Sequence, residues 1–288
     1  MRRIAVVATV RDAYIFTLTQ LGSVIGLIWV AMVMLTVARF FAFHRFYDAF
    51  IEFLAGANPA QMGPVLLMML AYLAAALLLY AVMLVGVVQL AVGTRSTPSI
   101  IHFAFGALEW RMFRAFFAFV GLMMLASMSI LLAVDAIMAF VPGAKPDQAP
   151  IGNVMALAMI AVGMVLAVRF LLLLPAIAVQ ETGPALRRAW ALSAGNFWPL
   201  VGVLIGLFLP LLLVFVLIDA GMGEQGLTMA GGPPQLQVIA AIKHMQGTLP
   251  ITCGLSFFFS PLVVGLFANA SLSIWRALKD EPVLDIAV

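Results

Sequence analysis

The residues best suited to metal binding or acid–base work at neutral pH are three histidines, His44, His102 and His244, and they lie far apart in sequence. Their spacing matches no metal-ligand pattern. His44 and Asp48 are four apart, one short of the acyltransferase spacing, and belong to an amphipathic helical face. Cys253 stands alone, which excludes a disulfide or a thiolate cluster within one chain. The chain carries no Gly-x-Ser-x-Gly elbow, no Gly-Lys phosphate loop and no His-Glu-x-x-His pair. The sequence therefore predicts no catalytic centre, no metal and no cofactor.

Chemistry is better sought among polar side chains inside apolar stretches, where an ionisable group is costly and marks a candidate site. Arg169 comes about ten residues before Glu181, with Pro175 breaking the helix between them. Two readings follow: Glu181 folds back to clamp Arg169, or Arg169 binds a lipid phosphate or another anion. Asp135 lies two turns before the end of a span marked by Pro142. Gln89 and Asn269 sit late in their spans, a few residues after Gly86 and Gly265. Amides of this kind more often bridge helices than bind substrate. If these side chains converge on one cavity, they form a pathway; if they scatter, they are packing contacts.

The elements that must position them are helices. The chain is 65% hydrophobic and 9% charged with a mean hydropathy of +1.16, outside the range of soluble domains, which are about a quarter charged. Six continuous apolar runs are long enough to cross about 30 Å of hydrocarbon, namely Leu21–Phe43, Val65–Val92, Phe113–Phe140, Val154–Val179, Trp198–Ile218 and Leu249–Trp275. The basic N-terminal segment is too short in its apolar run to read as a cleaved signal, so it is expected to be retained. Ten Lys and Arg residues fall with the termini and the even connections, including Arg111, Arg114, Arg187, Arg188, Arg276 and Lys279, against four on the other side. That asymmetry predicts both termini in the cytoplasm. A net charge of +3 is too small and dispersed for nucleic acid.

The spans fall into three two-span repeats, about residues 1–97, 98–181 and 182–288, each led in by a short amphipathic segment. Gly22/Gly26 and Gly202/Gly206 occupy equivalent places in the first and fifth spans, a spacing that lets helices approach closely. In the second lead-in, Ser99, His102, Gly106 and Glu109 share one face. The third offers Arg187 and Arg188 to anionic headgroups and anchors Trp190 and Trp198 at the interface, and Arg111 and Arg114 join that belt. On the opposite side, Phe43, Phe46, Tyr47, Phe50 and Leu54 predict that the first span continues as an amphipathic helix up to Asn58-Pro59. The longest connection, Asp219–Thr248, opens with a glycine-rich stretch and ends in a short helix, Gln235–Gln246, suited to a lid or a partner site.

From Arg169 to Trp198 the order of residues resembles a known pattern. It consists of an Arg late in the fourth span, Pro175-Ala176, acidic Glu181, Gly183, Ala185-Leu186-Arg187-Arg188, Trp190, Leu192, Gly195 and the aromatic pair Phe197-Trp198. It is similar to the bacterial six-span family described as the membrane domain of glycerophosphoryl diester phosphodiesterase and to related uncharacterised envelope proteins. The closing Ile274-Trp275-Arg276-Ala277-Leu278 fits as well, whereas Ala189 stands where such proteins often carry Ser. The resemblance implies an all-α six-helix bundle in the bacterial cytoplasmic membrane and supplies no activity. No phosphodiesterase activity is expected, because the soluble barrel that carries it in some members is missing. Two functions fit: a non-catalytic protein that organises membrane lipid, a protein partner or its own homo-oligomer, or a transporter or channel for a lipid-like molecule.

Overall fold

The computed structural model describes residues 4–56, 60, 62–94, 105–140, 149–221 and 234–279. Among them the chain is all helical. The elements are α1 (Val6–Thr19), α2 (Leu21–Leu54), α3 (Met62–Val92), α4 (Ala107–Phe140), α5 (Ala149–Leu166), a π turn (Ala167–Leu171), α6 (Leu174–Gln180), α7 (Ala185–Ser193), α8 (Phe197–Gly221) and α9 (Pro234–Lys279). Six stretches are long and apolar enough to span a bilayer, and the chain is a multi-pass membrane protein. They coincide with the six expected spans. Two run well past them: α2 has 34 residues and α9 has 46. At 1.5 Å per residue that is about 51 Å and about 69 Å, so both project beyond a core of about 30 Å.

The projections pair with each other. Gln246 donates to Asp48 Oδ1 at 2.7 Å, and Gln235 donates to the Leu54 carbonyl. Phe46, Phe50 and Phe53 stack along α2. Helix α2 stops at Leu54, before Asn58-Pro59, which lie outside the described residues. The short helix expected over Gln235–Gln246 is instead the first three turns of α9. The glycine-rich stretch of residues 222–233 is outside the described residues.

Helix α1 is not spread on a surface. It runs along α8 and antiparallel to α9, at the end of the bundle where residues 4 and 279 lie (the terminal end). Within lipid the hydrophobic drive between helices is absent, so close van der Waals packing must replace it. Gly202 and Gly206 supply a groove on α8 into which Val6 and Val10 fit; a Cβ at Gly206 would lie 2.8 Å from Val10 Cγ2. A Cβ at Gly22 would meet nothing within 4 Å, so Gly22 does not seat a helix as Gly202 does. Pro210 removes an N–H from the α8 ladder and loosens the carbonyls one turn back. One of these, Leu207, accepts the Tyr14 hydroxyl at 2.9 Å.

The fourth span is interrupted. Pro175 cannot donate to Leu171 and its ring crowds that carbonyl, so the helix breaks at Leu172–Leu173 between the π turn and α6. Ala176, in the first turn of α6, donates its N–H to Ser271 Oγ at 3.0 Å, which gives an otherwise orphaned buried group a partner. The second lead-in also differs from expectation. Its residues 99–104 lie outside the described residues, while Glu109 belongs to α4 itself and accepts from the Gly106 N–H at 2.9 Å. That is half of a capping box, which explains a buried carboxylate better than a polar surface strip.

Candidate functional site

At the terminal end, the turn from α6 to α7 is gathered around Glu181. Helix α6 ends there because Glu181 is extended, and Gly183 follows at φ +152°, a region that side chains disfavour. Pro184 then starts α7. One Glu181 oxygen accepts from Arg188 Nε at 2.9 Å. The other accepts from the buried Trp275 indole at 2.8 Å and faces Lys279 Nζ at 3.3 Å. Its carbonyl accepts from Arg111 Nη2 at 2.6 Å, and the same nitrogen donates to the Ala178 carbonyl. Burial alone would raise the Glu181 pKa, but the Trp275 and Lys279 hydrogen bonds and the Arg188 and Lys279 charges outweigh it and hold the carboxyl below its ordinary value.

Two hollows share the Glu181–Pro184 turn as a common wall. One, of about 310 Å³, is lined by Arg111, Arg114, Ala115, Ala118 and Ala185. The other, of about 320 Å³, is lined by Thr182, Arg187, Arg188 and Ala191. The small alanines, one helical turn apart on α4, are what leave room for the first. Around Glu181, among the described residues, stand Arg111, Arg114, Arg187, Arg188 and Lys279, and of these cations its side chain engages Arg188 and Lys279. Arg114 and Arg187 are exposed. Counted over the described residues, the region is net positive and open.

The Arg169–Glu181 clamp does not form. The Arg169 guanidinium lies 4.0 Å above the Trp190 ring, which also stacks on Phe170, and its Nε is buried without a hydrogen-bond partner. Twelve residues, about 18 Å of helix, separate the two, so Arg169 reaches Trp190 of α7 while Glu181 reaches Arg188 of α7 and Trp275 and Lys279 of α9. Arg188 and Arg111 bind Glu181 and its carbonyl, while Arg114, Arg187 and Trp198 are exposed, Trp198 at 77%. Asn269 donates to the Asp12 carbonyl at 3.1 Å, joining α9 to α1. Gln89 is half-buried near the end of α3, where its carbonyl accepts from Thr94. Asp135 lies on α4, and its side chain is outside the described residues. The described polar groups in the spans thus scatter into separate contacts. Among the described residues no His, Cys, Asp and Glu gather into a group able to hold a metal.

The contacts made by Trp275, Lys279, Ser271 and Tyr14 are not legible in the sequence. Trp275 and Lys279 are four apart on the last turn of α9, with the ammonium 4.8 Å from the ring, a visible pair whose partner 94 residues away was not. Comparison with models of known families, with curated proteins and with solved structures finds no match.

Proposed function

We propose that this chain is a non-catalytic integral membrane protein that holds anionic lipid at the terminal end of its bundle, in the manner of a lipid-organising scaffold. The observation that carries the reading is the pair of hollows beside the Glu181–Pro184 turn, with Arg114 and Arg187 exposed at their rims and small side chains in their walls. A phosphodiester offers negatively charged oxygens to such guanidiniums. The exposed Trp198 and the aromatic first turns of α4 and α8 support a level at the headgroup belt. The concentration of basic residues at this end supports its lying in the cytoplasm, the resemblance over Arg169–Trp198 supports a bacterial inner membrane, and the positions of the spans and lead-ins support three repeated units.

A carrier for lipid-like molecules is the second reading. It is favoured by a separate apolar cavity deeper in the bundle and disfavoured by the scatter of Arg169, Gln89 and Asn269. The test of the scaffold is lipid retention. Wild type and the R114Q/R187Q double variant are purified in the same gentle detergent, and bound phospholipid is quantified per chain. The scaffold predicts anionic phospholipid on the wild type and its loss from the double variant; equal retention by both would remove the groove from the account.

A further inference from the structure

A second cavity, of about 290 Å³, opens among α3, α4, α8 and α9, lined by Tyr80, Phe116, Phe119, Phe208 and Phe267 with Leu171 of the π turn. Its depth follows from the helices. Phe208 is about 15 Å along α8 from Trp198, and Val264 about 16 Å along α9 from Trp275, which is near the middle of the hydrocarbon core.

Three breaks in backbone regularity meet at this level. The π turn ends at Leu171, Phe208 lies two residues before Pro210, and Val263 lies two after Pro261. Each disturbs a backbone hydrogen-bond ladder beside the cavity. On α8, Ile205 and Leu212 lie three before and four after Phe208, on its face, and both are exposed. The cavity opens on the same surface: Tyr80 is 38% exposed and Leu77, Val120 and Phe208 are half-buried. At mid-membrane depth that surface faces hydrocarbon.

We propose that this cavity binds one acyl chain of a membrane phospholipid. Its lining carries no charged group, and the Tyr80 hydroxyl is the one strongly polar side-chain group among the lining residues. A headgroup entering it would lose its hydration without a replacement, so only the chain fits. The volume lies at the small end of ligand pockets, about 300–1,000 Å³, which suits part of one chain and not a whole lipid. Continuity with the exposed apolar face of α8 lets the rest of the molecule remain in the bilayer. The site is distinct from the basic hollows and does not depend on their reading.

The test uses the full chain in nanodiscs containing a phospholipid with a mid-chain diazirine, photolysed and mapped by peptide mass spectrometry. The expected result is labelling of the α4 segment 116–120 and the α9 segment 263–267 at least fivefold above the exposed α5 segment 157–160. Val120→Trp fills the cavity from α4 and is expected to lower that labelling at least fivefold while leaving α5 unchanged. Val263→Phe fills it from α9 with less added volume and carries the same comparison if V120W does not fold. R114Q, which weakens the basic hollow, is expected to leave the cavity labelling within twofold. Even labelling of all lipid-facing segments, no response to either filling variant, or a fivefold drop in R114Q would each overturn the proposal. Competition by added free fatty acid but not by phospholipid would overturn it as well.

Discussion

Replacing Glu181 should uncouple the end of α9 from the α6–α7 turn, and the size of the effect can be worked from its contacts. The carboxylate holds Arg188, which is 44% exposed, and Lys279, 32% exposed, so solvent screens both pairs and each is worth about 0.2–1 kcal/mol. The Trp275 indole is different, because Trp275 is 3% exposed. A hydrogen bond from it to a charged acceptor contributes about 1.5–3 kcal/mol, and leaving its N–H without a partner costs about 1–3 kcal/mol. Glu181→Gln keeps an acceptor for Trp275 but drops the charge, for a loss of about 1–2 kcal/mol; Glu181→Ala strands the indole, for about 3 kcal/mol. Lys279→Ala should cost less than about 1 kcal/mol. The assay is SDS titration in mixed micelles, with labelling of the buried Cys253 thiol as an independent report of unfolding. There is also a pH signature. A carboxyl whose folded pKa is depressed contributes stability that is fully present above its ordinary value of 4.5 and is lost as pH falls through the lower folded value. The wild type should show that acid-limb loss and E181Q should not. An E181A variant within 0.5 kcal/mol of wild type, or equal to K279A, would refute the reasoning.

Three further outcomes follow from single contacts. Ser271→Ala removes the acceptor for the buried Ala176 N–H and should destabilise by about 1–3 kcal/mol in the same titration. Gly206→Ala, whose Cβ would stand 2.8 Å from Val10, should cost about 1–3 kcal/mol, and adding Val10→Ala should recover most of that loss. Arg169→Met should be neutral or stabilising, because it removes a buried Nε that has no partner, whereas Arg169→Lys should lose about 0.5–1 kcal/mol of planar stacking on Trp190, both read as shifts of the SDS midpoint.

The spans were legible because crossing a bilayer demands an unbroken apolar run of a set length, and six such runs stand in the sequence. The break at Pro175 was legible too, since proline removes an N–H wherever it sits. What the pattern could not reveal was the direction each broken piece faces. Arg169 and Glu181 are twelve apart, and that separation does not name the long-range partners each one finds, Trp190 for the first and Trp275 for the second. The role of Gly202 and Gly206 as a seat for α1 needed the long-range pairing with Val6 and Val10, for which local spacing supplies no partner. The second lead-in misled because Glu109 reads equally as a polar stripe and as a cap, and only the position of the helix start decides.

The claim on which the account turns is that Arg114 and Arg187 make the terminal end an anionic-lipid site. Its most direct measurement is native mass spectrometry of delipidated protein titrated with an anionic and a zwitterionic phospholipid bearing identical chains, wild type beside R114Q/R187Q. Each arginine near the headgroups is worth about 1 kcal/mol, so the double variant should weaken anionic-lipid binding about 30-fold and leave the zwitterionic lipid unchanged. Equal affinity of the wild type for both lipids, or an unchanged preference in the double variant, would contradict it.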